Sequence, residues 1–230
     1  MILRVYAILF SFIAFTSTAA TIDKAKFLQN IEKAVQQPNF AYNAKINMKV
    51  AAQGFSILDS GTLHFSPPNR QKFELNVSKV KVTSIGDTSW TTMADGSVTR
   101  RVGSYSLSGA NNSSPPNSTP NFASILKTTD FTITGDVSGK NILVEFFMSF
   151  PTGKQKIKAV FDTEEWLLRS YTLIGLPTGE ITSNFTYCTV GKSKLVSEVR
   201  NVMGSAGVMT ITITEYIVTK ILPASAFRGM

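Results

Sequence analysis

Cysteine is almost missing from this sequence. Cys188 is the only one in 230 residues, so no internal disulfide can staple the chain, and a hydrophobic core must hold it. Histidine is as scarce, with His64 alone. One histidine and one cysteine at unrelated positions cannot build a zinc site. There is no G-x-S-x-G elbow and no glycine-rich phosphate loop. Two S-x-x-K strings occur, Ser78 to Lys81 and Ser124 to Lys127. The first falls in a strand-like stretch, where positions three apart face opposite ways. The second is helical in character but lacks companion motifs. The chain is therefore read as a non-enzyme, with no catalytic, cofactor-binding or metal-ligating residues expected.

Acidic residues are outnumbered by basic ones, 15 to 23. The lysines alternate with apolar residues, as in "KVKV" and "KQKIKAV", which suits a solvated sheet face and protected edges. They form no basic cluster, so nucleic acid is not an expected partner. The carboxylates of "FDTEEW" are read as a hairpin turn. Long apolar runs are missing too. The one from Val5 to Phe15 is shorter than the roughly 20 residues that span a bilayer. It follows Arg4 and precedes the small residues Ser17 to Ala20, so residues 1–20 read as a cleaved secretory signal. No cysteine stands at the cleavage region for lipid attachment. Residues 21–230 are expected to form a single exported domain.

What is present is period-two alternation. In "FAYNAKINMKV", Tyr42, Ile46 and Met48 fall on one face, and Asn43, Lys45, Asn47 and Lys49 on the other. "KFELNV" aligns Phe73 and Leu75, and "NILVEFFMSF" aligns Val144, Phe146 and Met148. Thirteen strand-like segments follow, at 40–50, 61–65, 70–77, 79–85, 88–94, 98–102, 130–135, 141–150, 155–161, 167–174, 180–188, 194–203 and 208–221. Short turns separate most of them, which implies an antiparallel meander.

Only two helices are expected to cover this sheet. Thr21 to Gln37 is amphipathic, with Phe27 and Ile31 on its apolar face, Thr21 as its cap and Pro38 as its stop. "TPNFASILK" begins with Thr119 and Pro120 and aligns Phe122, Ile125 and Leu126. The polar, proline-containing stretch Ser108 to Pro120 reads as a flexible connection into it. With 16 phenylalanines and 7 methionines in the chain, two readings stand: the sheet curls on itself around an ordinary core, or it curves around a partly empty concave face lidded by the helices, where flexible Met and Phe side chains suit disordered acyl chains.

Several segments together resemble the LolA/LolB-like carriers of bacterial lipoproteins. They are "GTLHFSPPNRQKFEL", "IGDTSW", "TPNFASILKTTDFTIT", "FDTEEWLLRSYTLIGLPTGEITSNFTY" and "VTKILPASAF", in that order. The resemblance implies a mainly β fold: an unclosed, strongly curved antiparallel sheet with an amphipathic N-terminal helix and a short lid helix on the concave side. It implies a periplasmic monomer that takes acyl chains of lipoproteins or other lipids from an inner-membrane donor and passes them to an outer-membrane acceptor. The expected cavity residues are Phe27, Ile31, Tyr42, Ile46, Met48, Phe73, Leu75, Trp90, Phe122, Ile125, Leu126, Val144, Phe146 and Met148. The sequence departs from the family in having Pro67 where the carriers have a lid-locking arginine, and Gly86-Asp87 in place of Asp-Gly. A lipid-reading sensor on the same fold and a small outer-membrane barrel are the alternatives.

Overall fold

The computed structural model describes residues 22–34, 38–86, 88–102, 122–135, 139–150, 153–177 and 179–227. Its first element is helix α1, Lys24–Ala34. The Asp23 carboxylate accepts a bond from the Ala25 amide at 2.8 Å, so Asp23 serves as the cap. Thr21, the expected cap, lies outside the described residues.

Six strands follow: β1 (Ala41–Ala52), β2 (Phe55–Ser66), β3 (Arg70–Leu75), β4 (Lys81–Ile85), β5 (Thr88–Thr92) and β6 (Val98–Val102). Then come helix α2 (Phe122–Lys127) and strands β7 (Phe131–Gly135), β8 (Asn141–Phe150), β9 (Gly153–Asp162) and β10 (Leu168–Ile174). Strands β11 (Ile181–Val190), β12 (Ser193–Met203) and β13 (Val208–Thr219) complete the set. The stretch Ser108 to Pro120 and the cap at Thr119 fall outside the described residues.

All thirteen strands form one antiparallel sheet, in the order β6-β5-β4-β3-β2-β1-β13-β12-β11-β10-β9-β8-β7. The sheet is not closed, and β6 and β7 are its two edges. The meander runs outward from β1 to one edge, resumes at the opposite edge, and returns to lay its last strand beside its first. That seam pairs Met48 with Ile211 and Ala51 with Val208, and a bulge between Asn43 and Lys45 interrupts it.

Register decides which residues share a face, because successive side chains alternate across a strand. Ala44, Leu63, Phe73 and Val82 lie opposite one another in turn across β1 to β4. Val144, Ala159 and Tyr171 do so across β8 to β10. All seven are buried and belong to one core. The other face carries the charges. Lys72 and Lys81 reach Glu74 at 2.9 and 3.2 Å, and Lys156 and Lys158 reach Glu145 at 3.1 and 3.5 Å. These exposed pairs add little stability each. They show that the wet face of the sheet is its outer one, the reverse of a barrel facing lipid. No described helix is long and apolar enough to cross a membrane.

The second strand is longer than its sequence suggests. Alternation is clean only from Gly61 to Phe65, yet β2 begins at Phe55 and pairs with β1 along its whole length. The outer positions of "FSILDS" include Leu58 and the inner ones include Asp59, so neither phase there is uniformly apolar. Gly61 marks a close approach: a Cβ on it would overlap the carbonyl of Glu74. The last strand is shorter than expected and ends at Thr219. The chain then crosses the outer face of β2 to β4, where the Leu222 amide donates to the Ser66 hydroxyl at 3.1 Å. Phe227, in the 3-10 turn Ala224–Phe227, is buried there beside His64, with ring centroids 5.7 Å apart.

A candidate apolar binding face

Both helices sit on the inner face and meet around one ring. Phe27 of α1 packs edge-on to Phe161 at 5.3 Å, and Phe122 of α2 packs edge-on to the same ring at 6.0 Å. Phe122 also contacts Phe146 at 5.7 Å and Tyr171 at 5.8 Å. Ile31, Ile125 and Leu126 are buried beside them. An ion pair from Lys127 to Glu32, 2.7 Å long, links the two helices on their outer side.

A helix of six residues does not hold itself together in water. Its stability comes from docking, at about 1.5–3 kcal/mol for each large apolar side chain fully buried. Thus α2 exists only where Phe122, Ile125 and Leu126 are covered.

Thirteen of the expected cavity residues are brought together on this face. Phe27, Ile31, Tyr42, Ile46, Phe73, Leu75, Phe122, Ile125, Leu126, Val144 and Phe146 are buried in the core, and Met48 and Met148 are half-buried against it. Trp90 is not with them. Across β4 and β5 it lies opposite Thr83, while Thr91 lies opposite the core residue Val82. Trp90 therefore faces outward, in one row with Lys72 and His64. The segment "TSWTT" has polar neighbours on both phases, so its own alternation gave no side.

The inner face does not stop where the helices stop. Its apolar row continues across the seam through Met209, Val50 and Ile57, and through Ala52 to Phe55. Along it burial fades until Ile57 is 47% and Phe55 55% exposed. At the same end of the sheet, β8 offers Met148 and Phe150. A cavity of about 400 Å³ opens there, lined by Ile125, Thr128, Thr129, Phe147, Met148, Ser149 and Phe150. Its size falls within the roughly 300–1,000 Å³ of sites for small apolar ligands. A second groove, of about 440 Å³, lies on the outer face among Asn47, Lys49, Leu58, Ser60, Thr210 and Thr212.

The polar residues singled out in the sequence have structural partners. Burial alone would raise the Asp59 carboxyl. Bonds from the Val77 and Ser78 amides, the Ser78 hydroxyl and the Ser60 amide outweigh it and hold the group below the usual carboxylate range. Ser78 of the first S-x-x-K string thus anchors a turn. Lys127 of the second is the partner of Glu32. Asp162 accepts from the Glu164 and Glu165 amides at 3.1 and 2.6 Å and binds Arg169 at 2.9 Å, as a turn carboxylate does. His64 meets the Asn43 amide oxygen through Nδ1, and burial, together with nearby Lys72, lowers its pKa. Burial raises the Cys188 thiol.

The chain is an open antiparallel half-barrel whose concave side is apolar and covered by two helices. Its particular form is the LolA-like fold. A LolA superfamily protein from Nitrosomonas europaea superposes with TM-score 0.60 at 12% identity, covering 91% of this chain and 99% of that one. A putative outer membrane lipoprotein-sorting protein domain from Vibrio parahaemolyticus gives TM-score 0.62 at 12% identity, covering 88% and 95%. A DUF1329 family protein from Desulfovibrio piger gives 0.62 at 13% identity, also covering 88% and 95%. No family model and no curated protein matches the sequence. The resemblance read from the ordered segments therefore stands at the level of fold.

Proposed function

We propose that the protein is a periplasmic, non-enzymatic carrier that binds acyl chains of lipoproteins or other lipids on its inner face and delivers them towards the outer membrane. One observation carries this reading: the largely apolar inner face extends from the helix-covered core to an uncovered end, and the cover over it is a helix too short to stand alone. Lifting α2 exposes Phe146, Phe161 and Tyr171 to an incoming chain. The neighbours described as lipoprotein-sorting and LolA superfamily proteins support the same reading through the fold they share.

Energetics limit the mechanism. A chain of about 16 carbons is worth about 12 kcal/mol at roughly 0.8 kcal/mol per methylene. Three such chains would give about 35 kcal/mol, beyond the ceiling of roughly 20 for non-covalent binding. A carrier must also release its load, so the chains are buried in part, and an acceptor with more apolar surface draws them out. An inner-membrane donor and an outer-membrane acceptor are the partners this scheme requires.

The test is mass spectrometry of amphiphiles that leave with the purified protein, followed by uptake of a fluorescent fatty acid. Met148→Glu, at the mouth of the cavity, should weaken uptake at least tenfold, as an unpaired charge in an apolar site does. Failure to take up lipoprotein, phospholipid and fatty-acid probes alike would overturn the reading.

A further inference from the structure

One cross-strand row of the inner face contains a polar interruption. The row runs Tyr171, Ser183, Asn201, Met209, Val50, Ile57 over strands β10, β11, β12, β13, β1 and β2. Ser183 is 1% exposed and Asn201 3%. They lie directly opposite each other on β11 and β12, a placement that puts Cβ atoms about 5 Å apart. Among the described residues the Ser183 Oγ and the Asn201 Oδ1 have no hydrogen-bond partner, so the two do not satisfy each other. A buried polar atom left unpaired is costly, and native structures keep few of them.

The other large polar groups buried on this face are paired. Asp59 holds the turn at Val77 and Ser78. The Gln155 amide lies 3.0 and 3.2 Å from the carbonyls of Ile174 and Gly175, to which its NH2 donates. Thr91 also carries an unpaired hydroxyl, but it stands alone on β5. A second such pair, the Gln71 Oε1 and the Ser84 Oγ, lies across β3 and β4, but both residues are only half-buried; Ser183 and Asn201 are the pair that is almost fully buried, flanked along their strands by Phe185 and Val199.

We propose that Ser183 and Asn201 form a polar subsite within the acyl-binding face, which receives a neutral group carried by the bound chain that both donates and accepts a hydrogen bond. A hydroxyl on the chain, or an amide linking it to its head, has that chemistry: its hydrogen reaches the Asn201 Oδ1 and its oxygen accepts from the Ser183 hydroxyl. A plain ester has no donor and leaves Asn201 unpaired. Ile57, at the uncovered end, is three strand spacings from Asn201, about 14 Å at roughly 4.8 Å per strand. An acyl chain can reach the subsite from that end. This inference rests on the acyl-carrier reading above.

The test is displacement of a fluorescent fatty acid by palmitic acid, by hydroxypalmitic acids with the hydroxyl stepped along the chain, and by an N-palmitoyl amide against the ester of the same head. One hydroxyl position, the amide, or both should bind about three- to tenfold tighter than the matched chain without a donor, the worth of one net hydrogen bond. The hydroxyl and amide arms tell the two sources apart. Ser183→Ala combined with Asn201→Leu should abolish the preference, so that each matched pair binds alike. Equal affinity across every matched pair would overturn the subsite. So would a preference that survives the double substitution. If palmitic acid and the probe both fail to bind, the carrier reading falls first and the subsite with it.

Discussion

Phe122→Ala asks whether α2 is core or cover. The Phe122 ring is buried and meets three others, those of Phe146, Phe161 and Tyr171. Its burial is worth about 2–3 kcal/mol and its ring pairs about 0.5–1.5 kcal/mol more. That sum approaches the roughly 3–5 kcal/mol that such truncations cost in a core. Where the loss is felt is the question. If α2 opens by itself, as a carrier needs, the truncation acts on that local opening and scarcely on global unfolding. Amide exchange should then accelerate by two to three powers of ten in α2, at about 1.4 kcal/mol per tenfold. The amides of β8 and β9 should change little, and the urea midpoint should barely move. Uptake of a fluorescent fatty acid should become faster. The reasoning fails if β8 and β9 accelerate as much as α2 and the urea midpoint drops by the full amount. The helix would then be part of the fold's indivisible core.

Three further outcomes follow from the packing. Asp59→Asn should cost about 1–2 kcal/mol near neutral pH, since bonds to a charged acceptor exceed those to a neutral one. Because the folded carboxyl titrates below its ordinary value of 3.8, its contribution is full above that pH and is lost as pH falls through the lower folded value. Urea titrations of both proteins should therefore converge in acid, and a gap that persists there would count against the assignment. Gly61→Ala should destabilise by about 3 kcal/mol or more, because the new methyl collides with backbone at Glu74 rather than with a movable side chain; a thermal midpoint shifted by less than about 5 °C would refute this. Phe227→Ala should cost about 3 kcal/mol and free the chain end from the outer face, which limited proteolysis after Lys220 would report; cleavage unchanged from the parent would contradict the packing.

Much of this molecule was legible in its sequence, for a physical reason. One face of the sheet is wet and the other dry, so alternation marks most strands, and all thirteen expected segments correspond to strands. Phe27 and Ile31, or Phe122, Ile125 and Leu126, mark the helices by the same logic at helical period. Legibility failed where phase was ambiguous. At "FSILDS" the strand runs past the covered core, so nothing selects for alternation, and its first six residues went unrecognised. At "TSWTT" alternation gave no side, the expectation for Trp90 rested on the resemblance, and the pairing of Thr91 with Val82 turns Trp90 outward. Ser183 and Asn201 carry a signal that could have been used, since each is polar on the phase shared with Phe185 or Val199. Seeing them as a pair needs the β11–β12 register, which the sequence does not state.

The seam between β1 and β13 has a consequence for how the molecule is made. Every other ladder joins strands adjacent in sequence, so each of the thirteen strands can find a first partner as its neighbour emerges, and such local pairing is fast. β1 alone must hold one flank open until the last strand arrives, and every kinetic delay from the slow long-range step falls on it. An open flank is a template for pairing with another molecule. The lysines and asparagines at Asn43, Lys45, Asn47 and Lys49, set along that strand's wet face, discourage such pairing during the wait. A chain delivered unfolded and whole, rather than strand by strand, shortens the time during which that flank is exposed.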